Sequence, residues 1–122
     1  MKKNYGLTNT EMQIMELLWQ AEGAMTFREI LDVAAREWGK IWKVQTLSTY
    51  LTGLQKMGLV ESERKGCSNA YRPICTKEEH IHQWTRKMVE TCFDNSLSRL
   101  VVAFTGGQKL SEEDAAELRK LM

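Results

Sequence analysis

The stretch Trp42–Gly58, WKVQTLSTYLTGLQKMG, constrains what this chain can fold into more than any other. Val44, Leu47, Leu51 and Leu54 fall at i, i+3, i+7 and i+10, so a helix over them carries one apolar stripe. Between the stripe positions stand Gln45, Thr46, Ser48, Thr49, Thr52 and Lys56, a polar face without an acid. Solvated helix faces are ordinarily built from Glu and Lys, which are good helix formers and pair at i, i+4. Thr and Ser cost helix stability. Their short hydroxyl-bearing side chains suit a different task, donating and accepting at base edges, with the Thr methyl available to a thymine methyl. Gly58 supplies the left-handed residue that ends such a helix, and Leu59-Val60 opens something extended.

The next fifteen or so residues read as a hairpin. Leu59–Arg64 and Ala70–Ile74 flank Lys65-Gly66-Cys67-Ser68-Asn69, a tip of turn formers with a basic residue, and the lone proline, Pro73, stands where the second strand ends. Upstream, Thr8 and Glu11 form a capping box for a helix carrying Met12, Ile14, Met15, Leu18 and Trp19 as far as Gln20. Glu22-Gly23 breaks it. Thr26 and Glu29 open a second helix with Ile30, Leu31, Val33 and Ala34, ending near Arg36. Residues 37–42 connect it to the third helix, with Trp38 and Trp42 folded over the core. Three helices followed by a hairpin describe a winged helix-turn-helix, with the 44–57 helix in the recognition position and the hairpin as wing.

Downstream, Thr76 and Glu79 make a third capping box for a long helix carrying Ile81, Trp84, Met88 and Val89, with Cys92 and Phe93 beyond. Asn95-Ser96 interrupts it, and Leu97, Leu100, Val101 and Phe104 continue the stripe. Gly106-Gly107 is the clearest break in the chain. Ser111-Glu112-Glu113-Asp114 then caps a last helix with Ala115, Leu118 and Leu121 on one face. These stripes cannot close a core alone, and the partner expected for them is the same segment of a second copy. The dimerisation residues on this reading are Trp84, Met88, Phe93, Leu97, Leu100, Val101, Phe104 and Leu118. The expected fold is mostly α with a small β-hairpin (α+β): a winged-helix DNA-binding domain over 1–75 and a helical dimerisation region over 76–122.

Composition narrows the function classes. At 122 residues, 43% hydrophobic and 27% charged, the chain is an ordinary globular one. No apolar run approaches the roughly 20 residues that span a bilayer, and the N-terminus leads into no signal-type core, so a cytoplasmic location is expected. Residues 1–75 hold ten Lys/Arg against eight Asp/Glu, net +2, and residues 76–122 hold seven against eight, net −1. The sign suits DNA binding by the first part, but the asymmetry is small. Three cysteines without CxxC spacing, Cys67, Cys75 and Cys92, read as reduced thiols, Cys67 as an unreactive surface one. Cys75, His80 and His82 do not have a structural zinc spacing, and His80 and His82 diverge on a helix, so no metal and no cofactor is expected. No nucleophile elbow, phosphate loop or paired-carboxylate pattern points to an enzyme.

Taken together, Leu7–Trp19, Thr46–Gly58, the hairpin ending Tyr71-Arg72-Pro73, and Leu110-Ser111-Glu112-Glu113 resemble the penicillinase-repressor family of bacterial transcriptional regulators, over essentially the whole chain and in matching order. The resemblance implies a homodimer with an N-terminal winged helix and a C-terminal helical dimerisation region. The family's recognition-helix pattern, Lys-Thr-Ile-Arg-Thr-Leu, falls on Gln45-Thr46-Leu47-Ser48-Thr49-Tyr50; both Thr positions match, while Gln45 and Ser48 replace the basic residues. A different operator sequence is implied. Members paired with an antibiotic sensor, a membrane-bound protease encoded nearby, are cut at an Asn-Phe bond that falls on Ala103-Phe104, where the Asn is missing. Copper-responsive members carry a Cys-x-Cys near the C-terminus, and nothing after Cys92 supplies one.

The expected base contacts are Gln45, Thr46, Ser48 and Thr49, and the expected backbone contacts are Lys43, Thr52 and Lys56 on the helix with Arg64 and Lys65 on the wing. The bland alternative is a solvated helix with solubilising lysines. Tyr71 reads as core ahead of a sugar contact, and Trp19 and Trp42 as core ahead of stacking platforms. The function expected is that of a repressor whose homodimer occupies a palindromic double-stranded operator and is released by proteolysis or another signal. The rivals are a protein-interaction module and a ligand-responsive sensor with a pocket among the C-terminal stripe residues.

Overall fold

The computed structural model describes residues 3–122. The chain forms two compact units, one running to His82 and the other Gln83–Met122.

In the first unit, helices α1 (Asn9–Gln20) and α2 (Phe27–Glu37) start at the boxes legible in the sequence. Glu11 and Glu29 amides donate to the Thr8 and Thr26 hydroxyls at 3.2 Å, and the threonine amides donate back to the glutamates at 2.8 and 2.9 Å. Helix α3 (Val44–Lys56) begins differently. Its N-cap, Lys43, makes no side-chain capping bond, and its first turn holds no acid. It ends where Gly58 turns to φ +77°, a conformation glycine adopts without a Cβ penalty.

Strand β1 (Met25–Thr26) joins β2 (Val60–Lys65) and β3 (Ser68–Pro73) in an antiparallel sheet of order β1-β3-β2. The two-residue β1 is an addition to the expected hairpin, pairing Met25 with Tyr71 and Thr26 with Ala70. Two residues give no alternation to read, so only the pairing reveals them. The hairpin is also longer and tighter than expected. Arg64 pairs with Asn69 and Lys65 with Ser68, leaving Gly66-Cys67 as a two-residue turn with Gly66 at φ +66°. Glycine first at a positive φ fits the II′ turn that matches strand twist.

Ile14, Met15 and Leu18 of α1, Ile30 of α2, Leu47, Leu51 and Leu54 of α3, and Val60 of β2 are fully enclosed. Each such aliphatic side chain contributes roughly 1.5–3 kcal/mol relative to exposure. Tyr71 is buried as well, its ring 6.4 Å from that of Phe27, so it belongs to the core as expected. Val44 departs from its stripe: it occupies the first helical position, where the core has ended, and stays exposed. The unit closes with the start of α4 (Lys77–Cys92), whose third capping box forms, the Glu79 amide reaching the Thr76 hydroxyl at 3.1 Å. Trp19 Nε1 donates to the Cys75 carbonyl at 2.9 Å, and the His80 ring nitrogen Nε2 donates to the Tyr5 carbonyl at 3.1 Å.

The second unit continues α4 and adds α5 (Leu97–Thr105) and α6 (Glu112–Arg119). Helix α4 stops before Asp94 and Asn95, both left-handed, close to the interruption expected at Asn95-Ser96. Ser96 caps α5 through the Arg99 amide, Gly106 closes it at φ +67°, and Ser111 caps α6 through the Asp114 amide. Yet no residue of this unit is buried. Phe104 is 77% exposed and Leu97 68%.

Candidate nucleic-acid interface

Helix α3 sorts its side chains by face. Leu47, Leu51 and Leu54 point into the core, and Gln45, Thr49, Thr52 and Lys56, at i, i+4, i+7 and i+11, form one exposed row on the other side. Ser48 stands half-buried beside the row. Thr46 is half-buried at the opposite margin, so of the four expected base contacts Gln45 and Thr49 stand in the open row. The Thr49 hydroxyl donates to the Gln45 carbonyl at 2.9 Å, which uses its one proton and leaves its oxygen able to accept.

The N-terminal end of α3 is electrostatically unlike those of its neighbours. A helix start carries partial positive charge and unpaired amides. In α1 and α2 a glutamate of the capping box sits there, whereas α3 offers only the Lys43 carbonyl, which takes the Thr46 and Leu47 amides at 3.0 and 3.3 Å. An approaching phosphate therefore meets no carboxylate in the first turn of α3. Lys43 and Lys56 bracket the row, both exposed.

The C-terminal half of α3 is tied to the wing by Gln55, whose amide nitrogen donates to the Ser62 hydroxyl at 3.1 Å. Arg64 and Lys65 end β2 at the hairpin turn and are exposed. The remaining wing cation, Arg72, is already engaged: its guanidinium donates to Glu61 at 2.6 Å, and that hydrogen bond holds its pKa above the ordinary arginine value. Cys67 is exposed in the turn, while burial pushes the thiol pKa of half-buried Cys75 up. Cys75 and the two histidines do not converge. His80 is buried against Trp19, ring centroids 6.0 Å apart, with Nε2 spent on Tyr5, and His82 is exposed. Among the described residues no group of three His, Cys, Asp or Glu could hold a metal ion.

Sequence reasoning missed how the segment before α3 is held. Trp42 packs against Trp38 and Tyr50 with ring centroids 6.0 and 5.5 Å apart. Lys40 reaches back to α1, its ammonium donating to Gln13 at 2.8 Å and lying 5.8 Å from the Trp42 ring centre. The tryptophans were the legible signal, and their placement over the core follows it. Lys40 gave none, because a lysine in a loop looks like any solubilising charge.

In the second unit, Trp84, Leu97, Phe104 and Leu118 are exposed, and Met88, Phe93, Leu100 and Val101 are half-buried. Leu100, Val101, Phe104, Leu110 and Leu118 line an apolar cleft of about 360 Å³ together with Asp114 and Glu117. The Ala103-Phe104 bond lies in the last turn of α5, with both side chains exposed. No helix among the described residues is long and apolar enough to cross a membrane.

Residues 7–122 match the penicillinase repressor family. The methicillin resistance regulatory protein MecI of Staphylococcus aureus strain N315 is 20% identical over 120 residues, covering 98% of this chain and 95% of its own length. The penicillinase repressor of Bacillus licheniformis is 22% identical over 122 residues, covering 100% of this chain and 93% of its own. The solution structure of the DNA-binding domain of the repressor BlaI superposes with a TM-score of 0.52 at 22% identity, covering 65% of this chain and 93% of that domain. The complex structure of hsRosR-S4 gives 0.55 at 21% identity, covering 93% of each chain. At these identities the superpositions establish a common winged-helix fold.

Proposed function

The chain belongs to the penicillinase repressor family, and from that premise we propose that it is a DNA-binding transcriptional repressor acting as a homodimer on a palindromic operator. The observation that carries the reading is the acid-free exposed row Gln45, Thr49, Thr52 and Lys56, with Ser48 beside it, on a helix anchored by Leu47, Leu51 and Leu54. A rigid rod with short donors and acceptors facing outward is what a major groove admits. Gln45, Thr46, Ser48 and Thr49 address base edges; Lys43, Thr52, Lys56, Arg64 and Lys65 hold the flanking phosphates.

Dimerisation is supported by a second unit that exposes its apolar stripes and buries none of them. A second copy of that unit, through Trp84, Met88, Phe93, Leu97, Leu100, Val101, Phe104 and Leu118, is its partner. Two linked half-site contacts bind far more tightly than one, so occupying a promoter depends on the dimer. Release then follows from disrupting the pair, by cleavage near Ala103-Phe104 by a sensor protease or by another signal. Cleavage inside α5 requires its last turn to unwind first, since proteases act on extended chain.

The test is a fluorescence-anisotropy titration of the full chain against duplexes selected from a random library, at several salt concentrations, alongside analytical ultracentrifugation. Palindromic enrichment, with binding that persists at physiological salt and a dimer at micromolar concentration, is the expected result. A monomer, or salt-labile binding indifferent to sequence, overturns the proposal and favours a protein-interaction module.

A further inference from the structure

Two large aliphatic side chains at the entry to α3 face outward. Ile41 is 90% exposed and Val44 64%. Frayed backbone does not account for this, because both neighbours of Ile41 are fixed. The Lys40 amide donates to the Ala34 carbonyl at 2.8 Å, and the Trp42 amide donates to the Lys40 carbonyl at 3.1 Å. The Lys40 side chain is bound to Gln13 and that of Trp42 is packed between Trp38 and Tyr50. Ile41 thus stands out between two anchored residues, and Val44 is the first residue of a helix whose next positions are buried or polar. Val44 adjoins Gln45 and lies one turn before Ser48, so it extends the polar row at its N-terminal end, and Ile41 precedes it by three positions in the chain.

We propose that Ile41 and Val44 determine specificity by contacting thymine C5-methyl groups in the major groove, next to the bases that Gln45 and Ser48 address. The inference rests on the DNA-binding reading above. The occupant follows from what a groove can offer an aliphatic side chain: every other exocyclic group on its floor is a hydrogen-bonding one, and the thymine methyl is the apolar exception. The surroundings agree, because the first turn of α3 holds no acid to repel a duplex and Lys43 stands between the two aliphatic residues in sequence. A protein docked on this pair would cover the same end of the row.

The full chain is used to select duplexes from a random library at physiological salt. The enriched sequence is then resynthesised with deoxyuridine replacing deoxythymidine one position at a time, which deletes a methyl and keeps the base pair. At one or two positions per half-site the replacement is expected to weaken binding about 4-fold, the transfer value of one buried methyl-sized group. The Ile41→Ala/Val44→Ala double variant is expected to bind the thymine duplex more weakly than the parent and to be indifferent to deoxyuridine at those positions. Val44→Thr, which keeps the shape and replaces one methyl by a hydroxyl, is expected to show a partial loss. Deoxyuridine tolerated everywhere by the parent, or a loss equal in parent and double variant, overturns the inference while leaving the repressor reading intact. A library that yields no enriched sequence overturns both.

Discussion

The part of the chain up to His82 and the part after it are written in the same local language, and they end in opposite states. Apart from α3, both are built from helices started by side-chain caps, Thr8, Thr26 and Thr76 in one, Ser96 and Ser111 in the other, and both carry apolar residues at helical spacing. The first encloses Ile14, Met15, Leu18, Ile30, Leu47, Leu51, Leu54 and Val60 completely; the second encloses nothing. Caps and stripes therefore specify that a helix forms and which face is apolar. They do not specify whether the same chain supplies something to cover that face. On the proposed reading the difference divides the labour: a self-contained domain presents α3 rigidly, and an incomplete one makes presentation conditional on a partner.

The largest expected effect that tests this division is Leu51→Ala. A fully enclosed leucine lost from the centre of α3 costs roughly 2–5 kcal/mol through transfer and cavity terms. In urea unfolding monitored by circular dichroism, that loss is expected at every protein concentration. Phe104→Asp is its counterpart in the second unit, putting a charge where the proposed dimer buries a ring. Sedimentation velocity is expected to show a monomer, the thermal midpoint to lose its concentration dependence, and affinity for a two-half-site duplex to fall about 100-fold or more. A dimer that survives Phe104→Asp means that the second unit is not completed through that face.

Smaller effects sharpen it. Thr26→Ala removes the cap of a helix packed into a closed core and is expected to cost about 1 kcal/mol of global stability. Ser111→Ala removes an equivalent bond from α6 and is expected to increase amide exchange in that helix without moving the unfolding midpoint of the first unit. The same Thr26 box yields a pH dependence. The Thr26 backbone amide, then its hydroxyl, holds the Glu29 carboxyl below the ordinary carboxylate range. A carboxylate with a folded pKa below its unfolded one stabilises fully above the unfolded value, and that contribution disappears as pH falls through the folded one. The stability difference between the parent and Glu29→Gln, which keeps the box but does not titrate, is therefore expected to shrink on acidification below the ordinary carboxylate range. The smallest effect is that of Lys65→Ala, expected to reduce the slope of log affinity against log salt by about 0.9 while leaving base preference unchanged. A change in sequence preference removes Lys65 from the backbone-contact set.

Much of the fold was legible because its signals are local. A Thr followed by Glu three residues on satisfies two amides by itself, and 3.6-residue spacing shows which residues share a face. Helices α1 to α6, the hairpin and the order of elements were readable in this way. Strand β1 was not, because two residues have no period and exist as a strand only by pairing with Tyr71 and Ala70. The spacing of His80 and His82 speaks against a metal site but gives no place to either ring; His80 is buried against Trp19, with its Nε2–H donating to a carbonyl 75 positions earlier. At the interface, the polar face of α3 was evident from the absence of acids. The half-burial of Thr46 and the exposure of Val44 and Ile41 were not, since each depends on where the core stops.

Which segments are helical, which face of each is apolar, and the opposition of leucines to a Thr-rich row on the third helix are already written in the order of the residues. Those properties depend on backbone geometry and on neighbours three or four residues away. Tertiary structure alone decided which apolar faces are covered and which side chains at a helix margin reach water. Burial is a relation between segments far apart in the chain, and no spacing within one segment encodes what another will place against it.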